Sequence, residues 1–194
     1  MNFFKKLFNT SNKEDKEIQK QEVDLSLDDL FVHNFIEKGG KFLYCLKKEE
    51  IKQNLSYILS ENNWKNALVT NKELNTFLDE KEVLLDTELK KNIPFFTTCE
   101  HLIADNGDIL FSSNQLKSIK LSELSENFIV YATTSQLVKN TGEGLTGIKT
   151  NYKGAIPTNI SSIKNYEINK NDDNFLNYGN SNTKNLYLLL LEDL

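Results

Sequence analysis

From residue 25 onward, short continuous apolar runs alternate with segments whose apolar residues recur at helical period, and this interleaving is what most restricts the fold. LSLDDLFVHNFIEKGG carries Leu27, Leu30, Phe31, Phe35 and Ile36 near the helical repeat, with Ser26 placed to cap the helix and Gly39 to stop it. KFLYC at 41–45 reads as a strand. EEIKQNLSYILSENNW puts Ile51, Leu55, Ile58 and Leu59 on one helix face, NALVT at 66–70 is the next strand, and ELNTFLDE is a short helix. Residues 80–94 are ambiguous, and Pro94 bars a continuous helix into the next segment, because the residue before a proline is pushed out of the helical region. Beyond it FFTT (95–98) and DILFSS (108–113) are extended, CEHLIAD between them reads as a turn of helix, and NFIVYATT (127–134) is the strongest buried strand. TSQLVKN reads as the start of a helix, and NISSIKN and NLYLLLLEDL add further strands. Strands joined through helices of ten or more residues pair in parallel. The expected fold class is therefore α/β: an open, largely parallel or mixed sheet with helices on both faces, whose ligands gather beyond the carboxyl ends of the strands.

A chain of 194 residues supplies one well-buried core and is short for two, so residues 25–194 are expected to form a single domain. Residues 1–24 read as a flexible tail. Phe3, Phe4, Leu7 and Phe8 fall on one side of a short amphipathic segment with Lys5 and Lys6 on the other, and residues 9–24 form a solvated linker. TSNKEDKEIQKQE is polar where a secretory signal needs its apolar stretch, and no run approaches the roughly 20 apolar residues of a membrane span. Cys45 and Cys99 are far apart and outside any CxxC spacing, which points to two reduced thiols in a cytoplasmic protein, with no disulfide framework, metal or cofactor expected. The net charge is −5 and every basic residue other than the two histidines is lysine. Arginine is the usual bidentate clamp for phosphate and the usual reader of guanine, so nucleic acid is not an expected partner.

TGEGLTGIKT spaces Gly142, Gly144 and Gly147 as G-x-G-x-x-G. A dinucleotide fingerprint needs its first glycine at the end of a strand, yet about ten residues, including Leu137 and Val138, separate Gly142 from the end of FIVYA. The stretch reads better as a short helix capped by Thr141, with Leu145 and Ile148 inward and glycines where packing is close. Cys99 and His101 are two apart and so point to opposite sides of a strand, which argues against a catalytic dyad; His33, the only other histidine, lies on a distant helix and supplies no metal partner. Glu100 and Asp105 are the carboxylates that could flank a pocket as acid and base, although Asp105 with Asn106 and Gly107 also fits the turn before strand 108–113. TTSQ at 133–136 comes directly after the strongest strand, where short hydroxyls at a helix start can hold an anion or cap the helix. PTNISS at 157–162 is a second polar loop leading into a strand.

CEHLIADNGDILFSS, with FIVYATTSQLV, PTNISSIKN and the closing NLYLLLLEDL after it, resembles the LUD-domain family, typified by lactate utilization protein C. EKGGKFLYCLKKEEIKQNLSYILSENNW is similar to that family's first helix, strand and second helix around a GG pair, and the similarity spans about residues 28–194. The Phe- and Lys-rich start and the LEDL end most resemble a short, Bacteroidetes-like bacterial branch. The resemblance implies a fold similar to the sugar-phosphate isomerase and CoA-transferase group. It also implies a place in L-lactate oxidation to pyruvate beside partner proteins, one carrying iron–sulfur clusters. On that footing Asp105, Asn106 and Gly107 would orient a small organic acid, Thr133, Thr134 and Ser135 would donate hydrogen bonds to its anionic end, and Glu100 or Asp105 would be the acid or base. The family's A-[DE]-T-G turn is matched by Ala104, Asp105, Asn106 and Gly107 with Asn replacing Thr. Its late G-P-S-R-T-x-D-I and H-G-P segments are replaced by NYEINKNDDNFLNYGNSNTKNL, which keeps Gly179 and supplies neither the arginine nor the histidine. An anion site built on that arginine would lose a clamp worth about 1.5–3 kcal/mol. The departures leave two expectations open: a small-anion-binding protein of lactate oxidation, or a degenerate, non-catalytic module that docks on an iron–sulfur redox partner.

Overall fold

The computed structural model describes residues 25–78, 83–84, 93–167 and 182–193. The amphipathic start with its linker, most of the 80–94 stretch and the segment around Gly179 lie outside the described residues. Helix α1, Leu27–Glu37, starts where the Ser26 hydroxyl accepts the Asp29 amide. It gives way at Gly39, whose φ of 88° is the left-handed conformation that ends helices without a Cβ penalty. Phe31 and Phe35, one turn apart, form its fully buried face. Strand β1 comes next at Lys41–Cys45, and α2, Lys48–Glu61, buries Ile51, Leu55, Ile58 and Leu59 as their spacing requires.

Six strands then make one sheet in the order β1, β10 (Asn185–Leu191), β7 (Asn127–Thr133), β4 (Phe95–Thr98), β2 (Ala67–Val69) and β3 (Val83–Leu84), and every pairing in it is parallel. Alternation along each strand sorts its side chains between two cores. Phe128, Val130 and Ala132 of β7 and Leu186, Leu188 and Leu190 of β10 join Phe31 and Phe35 on one face. Ile129, Tyr187, Leu189 and Leu191 meet α2 and Leu74 of a 3-10 helix, Lys72–Phe77, on the other. Both faces of β7 and β10 are dry, which is why those two stretches read as near-continuous apolar runs.

A second, four-stranded sheet runs in the order β8 (Leu137–Val138), β5 (His101–Ile103), β6 (Asp108–Phe111) and β9 (Ser161–Ile163). Its β5–β6 and β6–β9 pairings are antiparallel and its β5–β8 pairing is parallel. Here the sequence expectation needs correction: CEHLIAD is not a turn of helix but contains β5, and TSQLVKN holds a three-residue 3-10 helix, Thr134–Gln136, leading into β8. Leu102 faces the main core while Ile103 packs with Leu110 and Ile148 on the reverse face, so the true period is two. A strand of three residues is too short to display it.

The short helix α3, Ser113–Leu116, is held by a capping box in which Ser112 and Gln115 bond each other's backbone reciprocally. Helix α4, Thr141–Asn151, lies over the reverse face of the small sheet with Ile148 buried. Its cap is Asn140 rather than Thr141, with the Asn140 side chain accepting the Glu143 amide, and Leu145 points outward at 44% exposure rather than inward. A Cβ on Gly144 would sit 3.2 Å from Ile103 and one on Gly147 would sit 2.8 Å from the His101 ring. The glycines of TGEGLTG thus let α4 approach the small sheet closely. The layers run α2, main parallel sheet, small mixed sheet with α1 beside it, and α4. This is the expected α/β architecture, a mostly parallel sheet flanked by helices, with the small mixed sheet added.

Candidate functional site

Strands β4 and β7 are neighbours, with Thr98 opposite Tyr131, so the loops that leave their carboxyl ends start side by side. Gln136 ties them together. Its Nε2 donates to the carbonyls of Cys99 at 2.6 Å and Glu100 at 3.3 Å, while its Oε1 accepts the Thr133 amide at 2.9 Å. In an open α/β sheet this is the region where ligands collect.

Glu100 is 8% exposed and its carboxylate is the focus of the region. Oε1 accepts from Ser112 Oγ at 2.5 Å, Asn114 Nδ2 at 2.9 Å and Gln115 Nε2 at 3.2 Å, while Oε2 accepts from the Tyr152 hydroxyl at 3.2 Å. Three of the four donors come from α3 and its cap, and the fourth stands at the carboxyl end of α4. A carboxylate taken out of water without such donors would cost several kcal/mol. These four partners are neutral, so the carboxylate is held without drawing a cation into the cluster. Burial, then the charge of Glu100, holds the Tyr152 phenol above its ordinary value, which keeps it a donor near neutrality.

Cys99 packs in the main core, and burial together with the charge of Glu100 pushes its thiol far above the usual range, burial being the larger cause. His101 turns to the opposite side, its ring against Gly147 and its Nδ1 3.3 Å from the Gln136 carbonyl. The two side chains form no dyad, as their spacing dictated. His33 is exposed on α1. Among the described residues no group of three or more His, Cys, Asp or Glu is placed to hold a metal ion.

Asp105, Asn106 and Gly107 form the hairpin turn from β5 to β6. Asn106 Oδ1 accepts the Asp108 amide at 3.1 Å, and Gly107, at φ 68°, donates its amide to the Ile103 carbonyl at 2.8 Å. The turn is pressed against α1: Asn34 Nδ2 donates to the Ala104 carbonyl at 2.8 Å and the Tyr166 hydroxyl to the Gly107 carbonyl at 2.6 Å. Glu100 and Asp105 stand at opposite ends of β5, on the order of 15 Å apart at the rise of a strand, and so do not flank one pocket as acid and base. The structure brings Glu100 beside Thr133–Gln136 and leaves Asp105–Gly107 at the far end.

Thr133, Thr134 and Ser135 do face a carboxylate, and it belongs to the chain. Asp193, just beyond β10, accepts from Thr134 Oγ1 at 2.8 Å, the Ser135 amide at 2.9 Å and Ser135 Oγ at 2.7 Å. Thr133 Oγ1 lies 2.9 Å from Ser135 Oγ. Slight burial works to raise the Asp193 pKa, but the hydrogen bonds from Ser135 and Thr134 outweigh it and hold the carboxyl at about 2. Sequence reasoning missed both the partners of Glu100 and the Asp193 clasp. Ser112 and Gln115 had a signal, the S-x-x-Q spacing of a capping box; Tyr152 and Asp193 reach their places only through the tertiary fold.

The fold is similar to that of a solved structure, a DUF162 family protein from Deinococcus radiodurans, with a TM-score of 0.59 and 13% identity over 87% of this chain and 99% of that one. A likeness at that identity concerns the fold. No family model matches the chain, and no curated protein does.

Proposed function

We propose that the chain is a LUD-type protein, the family to which the designation DUF162 belongs, and that it holds a small organic acid of the lactate kind at the carboxyl ends of β4 and β7. Its role is that of an accessory component in the oxidation of L-lactate to pyruvate. The observation that carries the proposal is Glu100: a buried carboxylate at the carboxyl end of a parallel strand, positioned by four neutral donors and tied through Gln136 to the neighbouring strand's loop. Oxidation of a 2-hydroxy acid removes a hydroxyl proton along with the hydrogen on carbon, and Glu100 is the group placed to receive the former. The hydrogen on carbon leaves with its two electrons, as a hydride equivalent, to an acceptor on the redox partner that the resemblance implies. Thermal unfolding against L-lactate, pyruvate, phosphosugars and CoA tests the proposal. At a hundred times its dissociation constant, a ligand adds about 2.7 kcal/mol, which raises Tm by several degrees for a chain of this size. A shift with L-lactate or pyruvate supports the proposal, and a shift with phosphosugars or CoA alone replaces it.

One observation favours the second reading, a non-catalytic module docking on an iron–sulfur partner. The Thr134 and Ser135 donors are already engaged by Asp193 rather than open to a ligand. On that reading none of the four ligand classes shifts Tm. Recovery of a redox partner from extract by the full chain and by a chain beginning at residue 25 then locates the contact; equal recovery excludes the Phe-rich start.

A further inference from the structure

The Glu100 cluster has an unequal distribution of hydrogen bonds between its two oxygens. A carboxylate offers about four lone-pair directions, two on each oxygen. Oε1 receives three donors, Ser112 Oγ, Asn114 Nδ2 and Gln115 Nε2, and has no capacity left. Among the described residues Oε2 receives one, the Tyr152 hydroxyl at 3.2 Å, and keeps one direction open. The phenol spends its single proton on Oε2, and its oxygen already has the Asn114 side chain as a hydrogen-bond partner. The open valence of the cluster is therefore an acceptor on a charged group, Glu100 Oε2.

Such an oxygen selects for chemistry. A carboxylate or phosphate brought against it would oppose acceptor to acceptor and like charge to like charge. A hydroxyl supplies what is lacking, a proton for Oε2, and forms a charge-assisted bond there. The surroundings allow the approach. Tyr152 is 36% exposed, whereas Ser112 and Gln115 on the α3 side are buried. The Tyr152 side is thus the open side of Glu100, whereas its other side is closed by α3.

Resting on the proposed function, we infer that Glu100 and Tyr152 form a hydroxyl-recognition subsite, so that the ligand enters this cluster by its alcohol group and not by its carboxylate. The subsite ranks ligands by a hydroxyl donor, and three small probes separate the possibilities: L-lactate has both groups, 1,2-propanediol has the hydroxyl alone, and propionate has the carboxylate alone. The readout is the ring resonance of Tyr152 in the full-length protein labelled with 13C-tyrosine, identified by its loss in Tyr152→Phe. L-lactate and 1,2-propanediol are expected to move it in a saturable manner, and propionate to leave it in place at the same concentrations. Glu100→Gln, which keeps the acceptor for α3 but loses the charge, is expected to weaken the response about tenfold or more. A response to 1,2-propanediol without one to L-lactate would keep the hydroxyl subsite and sink the hydroxy-acid function. Propionate acting as strongly as L-lactate, no response to any probe, or an unchanged response in Glu100→Gln would each overturn the inference.

Discussion

Glu100 is held by donors that also satisfy a neutral acceptor, and this separates its structural from its chemical role. Glu100→Gln retains an oxygen for Ser112, Asn114 and Gln115 and is expected to unfold within about 1 kcal/mol of the parent. Glu100→Ala leaves those donors with no acceptor in a buried place and is expected to cost about 2–4 kcal/mol, read by urea denaturation, because each unsatisfied polar group costs about 1–3 kcal/mol. Equal stability of the two variants would mean that water replaces the carboxylate freely. Asp193 carries a pH dependence of definite sign. Its carboxyl is held at about 2 in the folded chain against an ordinary value of 3.8, so the folded state binds the proton less readily than the unfolded one. The clasp's contribution is complete above pH 4 and is lost as pH falls through that window toward 2. Asp193→Ala is accordingly expected to melt below the parent at pH 6, with the gap narrowing at pH 3. A gap that widens on acidification would contradict the assigned bonds. The residue is exposed, so the gap is small.

At the scale of elements, two glycines make opposite predictions. Gly107 has a left-handed φ of 68°, and a Cβ there would lie 2.5 Å from the Phe35 backbone nitrogen. Gly107→Ala is expected to cost more than about 2 kcal/mol, since the conformation alone costs about 1–2 kcal/mol and α1 cannot yield its backbone. Gly144→Ala meets side chains, those of Ile103, Leu110 and His101 at 3.2, 3.4 and 3.6 Å, and gains up to about 1 kcal/mol of helix propensity, so it is expected to lie near neutral. Denaturation of the pair reads both, and similar costs would mean that α1 does not press on the hairpin. Legibility in the sequence divides along the same line. Helices α1 and α2 and strands β1, β7 and β10 are readable because each is long enough to repeat its period, or dry on both faces. The strand β5 is not, because three residues between a buried cysteine and a tight turn carry no period, and its extended form comes from pairing with β6 and β8. Helical spacing alone turns Leu145 inward, but α4 contacts the sheet through its glycines and Ile148 instead. Of the site, Glu100 is legible as a candidate acid or base, and the Thr133–Ser135 loop from its place after the strongest strand. Their partners Tyr152 and Asp193 are not, because these lie 52 residues from Glu100 and 58–59 residues from the Thr134–Ser135 loop.

Across the whole molecule, the parallel sheet sets the location of the site and the small mixed sheet supplies its contents. Strand β7 runs two residues past the end of its neighbour β4, and the chain turns from β4 directly into β5, so Glu100 falls at the junction between the two sheets. Strand β6 returns antiparallel to that junction and delivers Ser112 and α3 to the Glu100 carboxylate, while α4 crosses the reverse face and ends with Tyr152 above it. Elements distant in sequence thus meet at one carboxylate. The far end of β5, with Asp105–Gly107 against α1, serves to lock the hairpin. The most direct measurement of this account is a titration of 15N-labelled full-length protein with L-lactate, monitored through amide chemical shifts. Saturable changes are expected on Cys99–His101, Ser112–Gln115, Thr133–Gln136 and Tyr152, with the Asp105–Gly107 turn unmoved. Changes centred on that turn, or none at all, would contradict this account.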